Sequence, residues 1–159
     1  MVKHMKKTFL LILIVLLLIT GCKTREEIEK EKEQQRIDDI TKEVEKNTEV
    51  PEDVKKWLVD NKTKQVLTIF CMSISKRCEL IEKDIKQYED KIKVHYIDFY
   101  EMEDSKKEAY KNAYELKDYT GYLPYVFIVK NDKFIDYEKD IKSIDDIKKL
   151  LVKNKIVSE

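Results

Sequence analysis

Cys71 and Cys78 are the residues of this sequence best placed to do chemistry, and that chemistry is thiol–disulfide exchange. They lie in the stretch Phe70-Cys71-Met72-Ser73-Ile74-Ser75-Lys76-Arg77-Cys78, after the apolar run Val66–Phe70 and at the head of an amphipathic pattern. A strand that turns into a helix with a cysteine in its first turn aims the sulfur at free backbone N–H groups. The positive end of the helix dipole lies there too, and both favour the thiolate. Lys76 and Arg77 act in the same direction on Cys78. Against this, free cysteine is among the most buried residue types, so Cys78 taken alone reads as inert core. Ser75 is a good N-cap residue for the helix that follows.

Little else in the chain competes for a catalytic role. The only histidines are His4 and His95, too few for a histidine metal site or a Ser-His or Cys-His pair. His95 falls on a strand, where a half-buried, hydrogen-bonded role is expected. No cofactor and no metal site is expected. Forty per cent of the 159 residues are charged and the formal net charge is zero. With no basic excess, nucleic acid is not an expected partner.

The elements that must position the two thiols follow from apolar periodicity. Pro51-Glu52-Asp53 opens a short helix over about 51–60, with Val54, Trp57 and Leu58 on one face. Val66–Phe70 is a nearly continuous apolar run, as in a strand buried on both faces. The next helix covers about 75–88 and turns Cys78, Ile81 and Ile85 inward. Lys93–Phe99 is a second strand. Ser105 and Glu108 form a capping box for a helix with Ala109, Ala113 and Leu116 inward. Tyr110 and Tyr114 lie at helical spacing and read as partial core. Tyr125–Val129, a turn at Lys130-Asn131-Asp132-Lys133 and Phe134–Tyr137 form a hairpin. Ser143 and Asp146 open a last helix whose inward face is Ile144, Ile147, Leu150 and Leu151. Strands separated by helices imply parallel crossovers, and the hairpin adds an antiparallel strand. The fold class is therefore α/β, one sandwich around a central mixed sheet.

The amino terminus reads differently. Lys3, Lys6 and Lys7 precede the apolar run Phe9–Ile19, which is short of the about 20 residues a comfortable membrane span needs. Charge, length and flanks fit an export signal over residues 1–21. The run ends in Leu18-Ile19-Thr20-Gly21-Cys22, which resembles a bacterial lipoprotein lipobox. That resemblance implies a diacylglyceryl group on the Cys22 sulfur and a mature chain beginning at Cys22. The membrane is then a partner through lipid. The protein is placed on the outer face of the cytoplasmic membrane, extracytoplasmic, where disulfides persist. Without the three leader lysines the chain carries an excess of three acids. Residues 22–50 read as a charged, helical or disordered stalk, with pairs such as Glu26 with Lys30 and a narrow stripe of Ile37, Ile40 and Val44. Residues 51–159 form the folded domain.

The element order, the thiol at the first strand-to-helix corner and Pro124 before a later strand together resemble the thioredoxin family, over about residues 51–154. The lipobox with this domain resembles the thioredoxin-like and bacteriocin-accessory-type lipoproteins of Gram-positive bacteria. The resemblance implies a three-layer sandwich, with a sheet of about four strands flanked by helices. It puts Ser75-Lys76-Arg77-Cys78 on the family's C-x-x-C, leaving an SxxC. Ser75 then stands where the attacking cysteine belongs and Cys78 where the resolving one belongs. Ile69 stands where many members keep a buried Asp. Pro124 matches the cis-proline, and Leu123 the residue before it. With Tyr122, these imply a groove for a peptide or protein partner. Tyr119, Tyr122 and Tyr125 flank Pro124, as strand and loop packing or as an aromatic rim on that groove.

Two functions follow. One is an atypical thiol–disulfide oxidoreductase using Cys78 with Cys71, with Ser75 as the third candidate at the site. The other is a monomeric binding module that keeps the fold and groove without catalysis. A Cys71–Cys78 bond needs Cα atoms roughly 4.4–6.8 Å apart, and a structural bond is favoured over a cycling one.

Overall fold

The computed structural model describes residues 24–158, apart from 115, 117 and 118. The expected export signal and Cys22 lie outside the described residues. The chain divides into two units between Asp39 and Ile40.

Helix α1 (Arg25–Glu45) begins in the first unit. Its start is fixed by a reciprocal cap. The Glu27 N–H donates to Thr24 Oγ1 at 3.3 Å, and the Thr24 N–H donates to Glu27 Oε2 at 2.8 Å. Exposed pairs one turn apart support it, including the expected Lys30–Glu26 at 2.9 Å and Arg25–Glu29 at 3.1 Å. Of its apolar stripe only Val44, in the second unit, is buried. No helix among the described residues is long and apolar enough to cross a membrane.

The second unit carries the sheet. Helix α2 (Glu52–Thr63) leads into strand β1 (Gln65–Cys71). Helix α3 (Lys76–Asp84) follows and tightens into a 3-10 turn over Ile85–Tyr88. Strand β2 (Lys93–Asp98), helix α4 (Asp104–Ala113), the hairpin strands β3 (Tyr125–Lys130) and β4 (Lys133–Glu138), and helix α5 (Ile144–Lys153) complete it. The strand order is β2-β1-β3-β4. β1 runs parallel to β2 and antiparallel to β3, and β3 and β4 are antiparallel. This is the thioredoxin-like mixed sheet of four strands.

Two cores flank the sheet. Leu67, Ile69, Cys71, Val126 and Ile128 pack against Cys78, Ile81 and Ile85 of the α3 segment and against Ile147, Leu150 and Leu151 of α5. On the other face Phe70, Phe127 and Val129 meet Val54 and Trp57 of α2 and Tyr110 of α4. That second core is largely aromatic. The Trp57 ring makes an edge contact with Tyr110 at 5.0 Å, and the buried indole N–H donates to Thr68 Oγ1 at 2.9 Å.

Several boundaries differ from expectation for local reasons. α2 runs past Asn61 to Thr63, because Asn61 is buried and the Thr63 hydroxyl donates back to the Val59 carbonyl at 2.7 Å. α4 starts at Asp104 after Glu103, so Ser105 lies inside the helix and no Ser105–Glu108 box forms. The last helix does use Ser143, whose Oγ accepts from the Asp145 N–H at 3.3 Å. The hairpin turn holds Asn131 and Asp132 at φ of 49° and 65°, left-handed positions that these residue types tolerate.

Candidate functional site

Three loops converge at one end of the sheet, and the strand register brings them together. Cys71, the last residue of β1, pairs with Asp98, the last of β2, so both following loops leave at the same end. β3 runs the other way with Tyr125 opposite Phe70, so the segment entering it, Gly121–Pro124, arrives there too. Gly121 has φ of +87°, a conformation that favours glycine. The Leu123–Pro124 peptide bond is cis.

Hydrogen bonds tie the loops after β1 and β2 to each other. The Phe99 N–H donates to the Cys71 carbonyl at 2.8 Å. Asp98 Oδ1 accepts from the Ser73 N–H at 3.0 Å and from the Tyr100 N–H at 2.9 Å. Partial burial works to raise the Asp98 pKa, but the bonds from Ser73 and Tyr100 outweigh it and hold the carboxyl below its usual range. Nothing in the sequence singles out Asp98. Its role comes from standing at the end of β2 beside the loop that leaves β1.

Cys71 and Cys78 form a disulfide, with an S–S distance of 2.07 Å and Cα atoms 5.7 Å apart. Both residues are 0 % exposed and belong to the core built on α3 and α5. The Met72 N–H points at Cys78 Sγ from 3.3 Å. The cations expected to act on Cys78 are engaged elsewhere. Lys76 pairs with Glu79 at 2.8 Å, and Arg77 Nη1 donates to the Ile141 carbonyl at 3.3 Å. An incoming thiolate has to reach a disulfide sulfur, and at 0 % exposure neither sulfur of this pair is open to one.

Ser75 occupies the N-cap position of α3 with extended backbone angles, but its hydroxyl makes no capping bond. Its carbonyl accepts from the Glu79 N–H at 3.0 Å, and its own N–H donates to the Met72 carbonyl at 2.9 Å. Ile69 is fully buried beside the cystine, so this core position offers no carboxylate for proton transfer.

Around Pro124 the three tyrosines part company. Tyr125 is core, 1 % exposed. Tyr119 is half-buried, with its ring edge against Tyr125 at 5.1 Å. Tyr122 is 79 % exposed. Pro124 is buried and Leu123 half-buried against the aromatic core. Two further apolar residues of this end escaped sequence reading. Ile74 is 64 % exposed and Tyr100 41 %. With Tyr122 they put one large exposed hydrophobic on each of the three loops. The only signal available beforehand was their position in non-periodic segments.

His95, on β2, is half-buried, and its Nε2 lies 2.8 Å from Asp60 Oδ2. Burial lowers its pKa, and Lys93 and Lys56 add to that against the pull of Asp60. Among the described residues no group of His, Cys, Asp and Glu is arranged to hold a metal ion.

The sequence profile of a family described as "Lipoprotein, tandem type" matches residues 3–124. No curated protein matches the chain in sequence. Among solved structures, Chlamydomonas reinhardtii thioredoxin f2 is similar at 13% identity and a TM-score of 0.46, over 60% of this chain and 82% of that one. Fasciola hepatica thioredoxin is similar at 15% identity and a TM-score of 0.47, over 64% and 90%. A designed protein is similar at 15% identity and a TM-score of 0.49, over 69% and 90%.

Proposed function

This chain belongs to the tandem-type lipoprotein family, and from that premise we propose that it is a lipid-anchored, extracytoplasmic binding protein. Its thioredoxin-like head holds a partner and does not turn over disulfides. Cys22 carries the lipid, residues 1–21 are removed as the signal, and residues 22–50 space the monomeric head, 51–159, from the outer face of the cytoplasmic membrane. The partner is a peptide or protein held at the loop end of the sheet by Tyr122, Leu123 and Pro124 together with Ile74 and Tyr100.

The observation that carries this reading is the burial of the cystine. Cys71 and Cys78 are both 0 % exposed, and Ser75 stands where an attacking thiol would be needed. A hydroxyl is a very poor substitute for a thiolate in exchange. The same burial weighs against the oxidoreductase alternative, in which Cys78 and Cys71 cycle.

The test is thiol trapping on the full chain in detergent, equilibrated in glutathione buffers from about −180 to −300 mV. The bond is expected to stay closed throughout and to reduce only when the head unfolds. A reversible midpoint within that window would overturn the non-catalytic reading. The binding half is tested with a photo-crosslinking side chain placed at Ile74, Tyr122 or Leu80 on intact cells. Adducts are expected at the first two positions and not at Leu80, on the outer side of α3. Equal labelling at all three, or none, would remove the loop end as the docking surface.

A further inference from the structure

β2 is an outer strand of the sheet, paired with β1 on one side. Among the described residues, no backbone hydrogen bond reaches its other side. An open strand edge is a template for another strand, and proteins commonly blunt such edges with bulges, charges or covering segments. The opposite edge, β4, is blunted in this way, since its pairing with β3 is irregular at Ile128/Val129. β2 keeps an unbroken register with β1 over six residues, Lys93 to Asp98.

A groove of about 480 Å³ runs beside this edge, walled by Lys56 of α2, by Met102, and by Lys106 of α4. Its charges are unbalanced. Of the carboxylates that line it, Asp53 is held by Lys106 and Asp98 by the Ser73 and Tyr100 amides, while Asp60, outside the lining and under His95, is held by Lys64. Lys56 and Lys93 are exposed and have no ion-pair partner among the described residues. The groove's carboxylates are therefore occupied while two of its ammonium groups are not. Their field falls on His95, whose ring they help to keep neutral.

We propose that the free edge of β2 takes an extended, acidic segment of a partner protein as a fifth strand. The segment's backbone would complete the ladder, and carboxylates at alternate positions would meet Lys93 and Lys56 on the α2 side. A second copy of this chain fits less well. A two-fold axis that pairs β2 with its counterpart antiparallel keeps each sheet face on its own side. The Lys93 and Lys56 ammonium groups of both copies would then lie on one face of the joint sheet with no free carboxylate to meet them, and like charges gathered on one face are destabilising. This surface adjoins the loop end at Asp98, but the inference does not rest on the function proposed there.

The test uses the full chain in detergent and a fluorescein-labelled octapeptide that alternates glutamate with valine. Saturable binding is expected, with slowed amide exchange across Lys93–Asp98. Affinity should fall roughly tenfold or more in Lys56→Glu with Lys93→Glu, both exposed positions that leave the core untouched. It should fall as far when alternate amides of the peptide are N-methylated, which removes the backbone donors and keeps the charge. Undiminished binding by the N-methylated peptide, equal binding to the charge-reversed variant, or no binding at all would overturn the proposal. So would concentration-dependent dimerisation that the charge reversal abolishes, since the edge would then belong to a second copy.

Discussion

Asp98 stands opposite Cys71 in the parallel register of β1 and β2, and its Oδ1 accepts the N–H groups of both Ser73 and Tyr100. One carboxylate thus fastens the loop that leaves β1 to the loop that leaves β2. The cystine fastens the same first loop to α3 from beneath. The head's exposed Ile74 and Tyr100 are displayed on a frame held at these two points, with Tyr122 on the segment that enters β3 at the same end.

Asp98→Ala is expected to release that frame without unfolding the head. The cost is about 1.5–3 kcal/mol, the range for a hydrogen bond to a charged acceptor. Hydrogen exchange is the direct readout: the Ser73 and Tyr100 amides should lose protection while those of β3 keep theirs. The Asp98 carboxyl is held below its usual range. Its stabilisation is therefore full above about pH 4 and is lost as pH falls through the folded value.

Replacing both Cys71 and Cys78 by alanine removes a cross-link between residues seven positions apart. Loop-closure entropy puts the loss at about 2–3 kcal/mol. Urea midpoints followed by the fluorescence of Trp57, the only tryptophan, measure it. Binding at the loop end should survive in the fraction that remains folded.

Thr68→Val keeps the shape of a fully buried residue and deletes the acceptor of the Trp57 indole N–H. An unsatisfied buried donor costs about 1–3 kcal/mol. Thr68→Ser retains the hydroxyl and should recover most of the loss, with an indole N–H resonance close to that of the native chain.

His95→Gln is expected to change the pH profile more than the stability at neutral pH. Burial lowers the folded pKa of His95, so the unfolded chain takes up its proton first. Native stability should decline as pH drops below about 6.5 toward the folded value. The glutamine variant should lack that step and keep only the carboxylate limb at lower pH. Urea midpoints taken across pH 4–8 would show it, and an unchanged profile would count against this account of His95.

The α/β order was legible because each strand is an apolar run bounded by turn residues, and because α5 carries a continuous inward stripe from Ile144 to Leu151. Helix limits were harder to read. Asn61 looks like a breaker until its burial is known, and the Thr24–Glu27 cap is a short signal within a stretch of like composition. The candidate site was half legible. Spacing and a family resemblance pointed to Cys71, Cys78, Ser75 and Pro124. The bond between the cysteines depends on where a strand end falls against a helix start, which spacing does not fix. Asp98, Ile74 and Tyr100 matter only through the register that gathers three distant loops at one end.

The buried cystine also decides what the head can report. In a cycling couple the surface shown to partners alternates with the supply of electrons. A bond that stays closed inside the core, as proposed for Cys71 and Cys78, presents one surface under oxidising and reducing conditions alike. On the proposed reading, occupancy at this end of the sheet follows which partner is present at the membrane, uncoupled from the thiol economy around it.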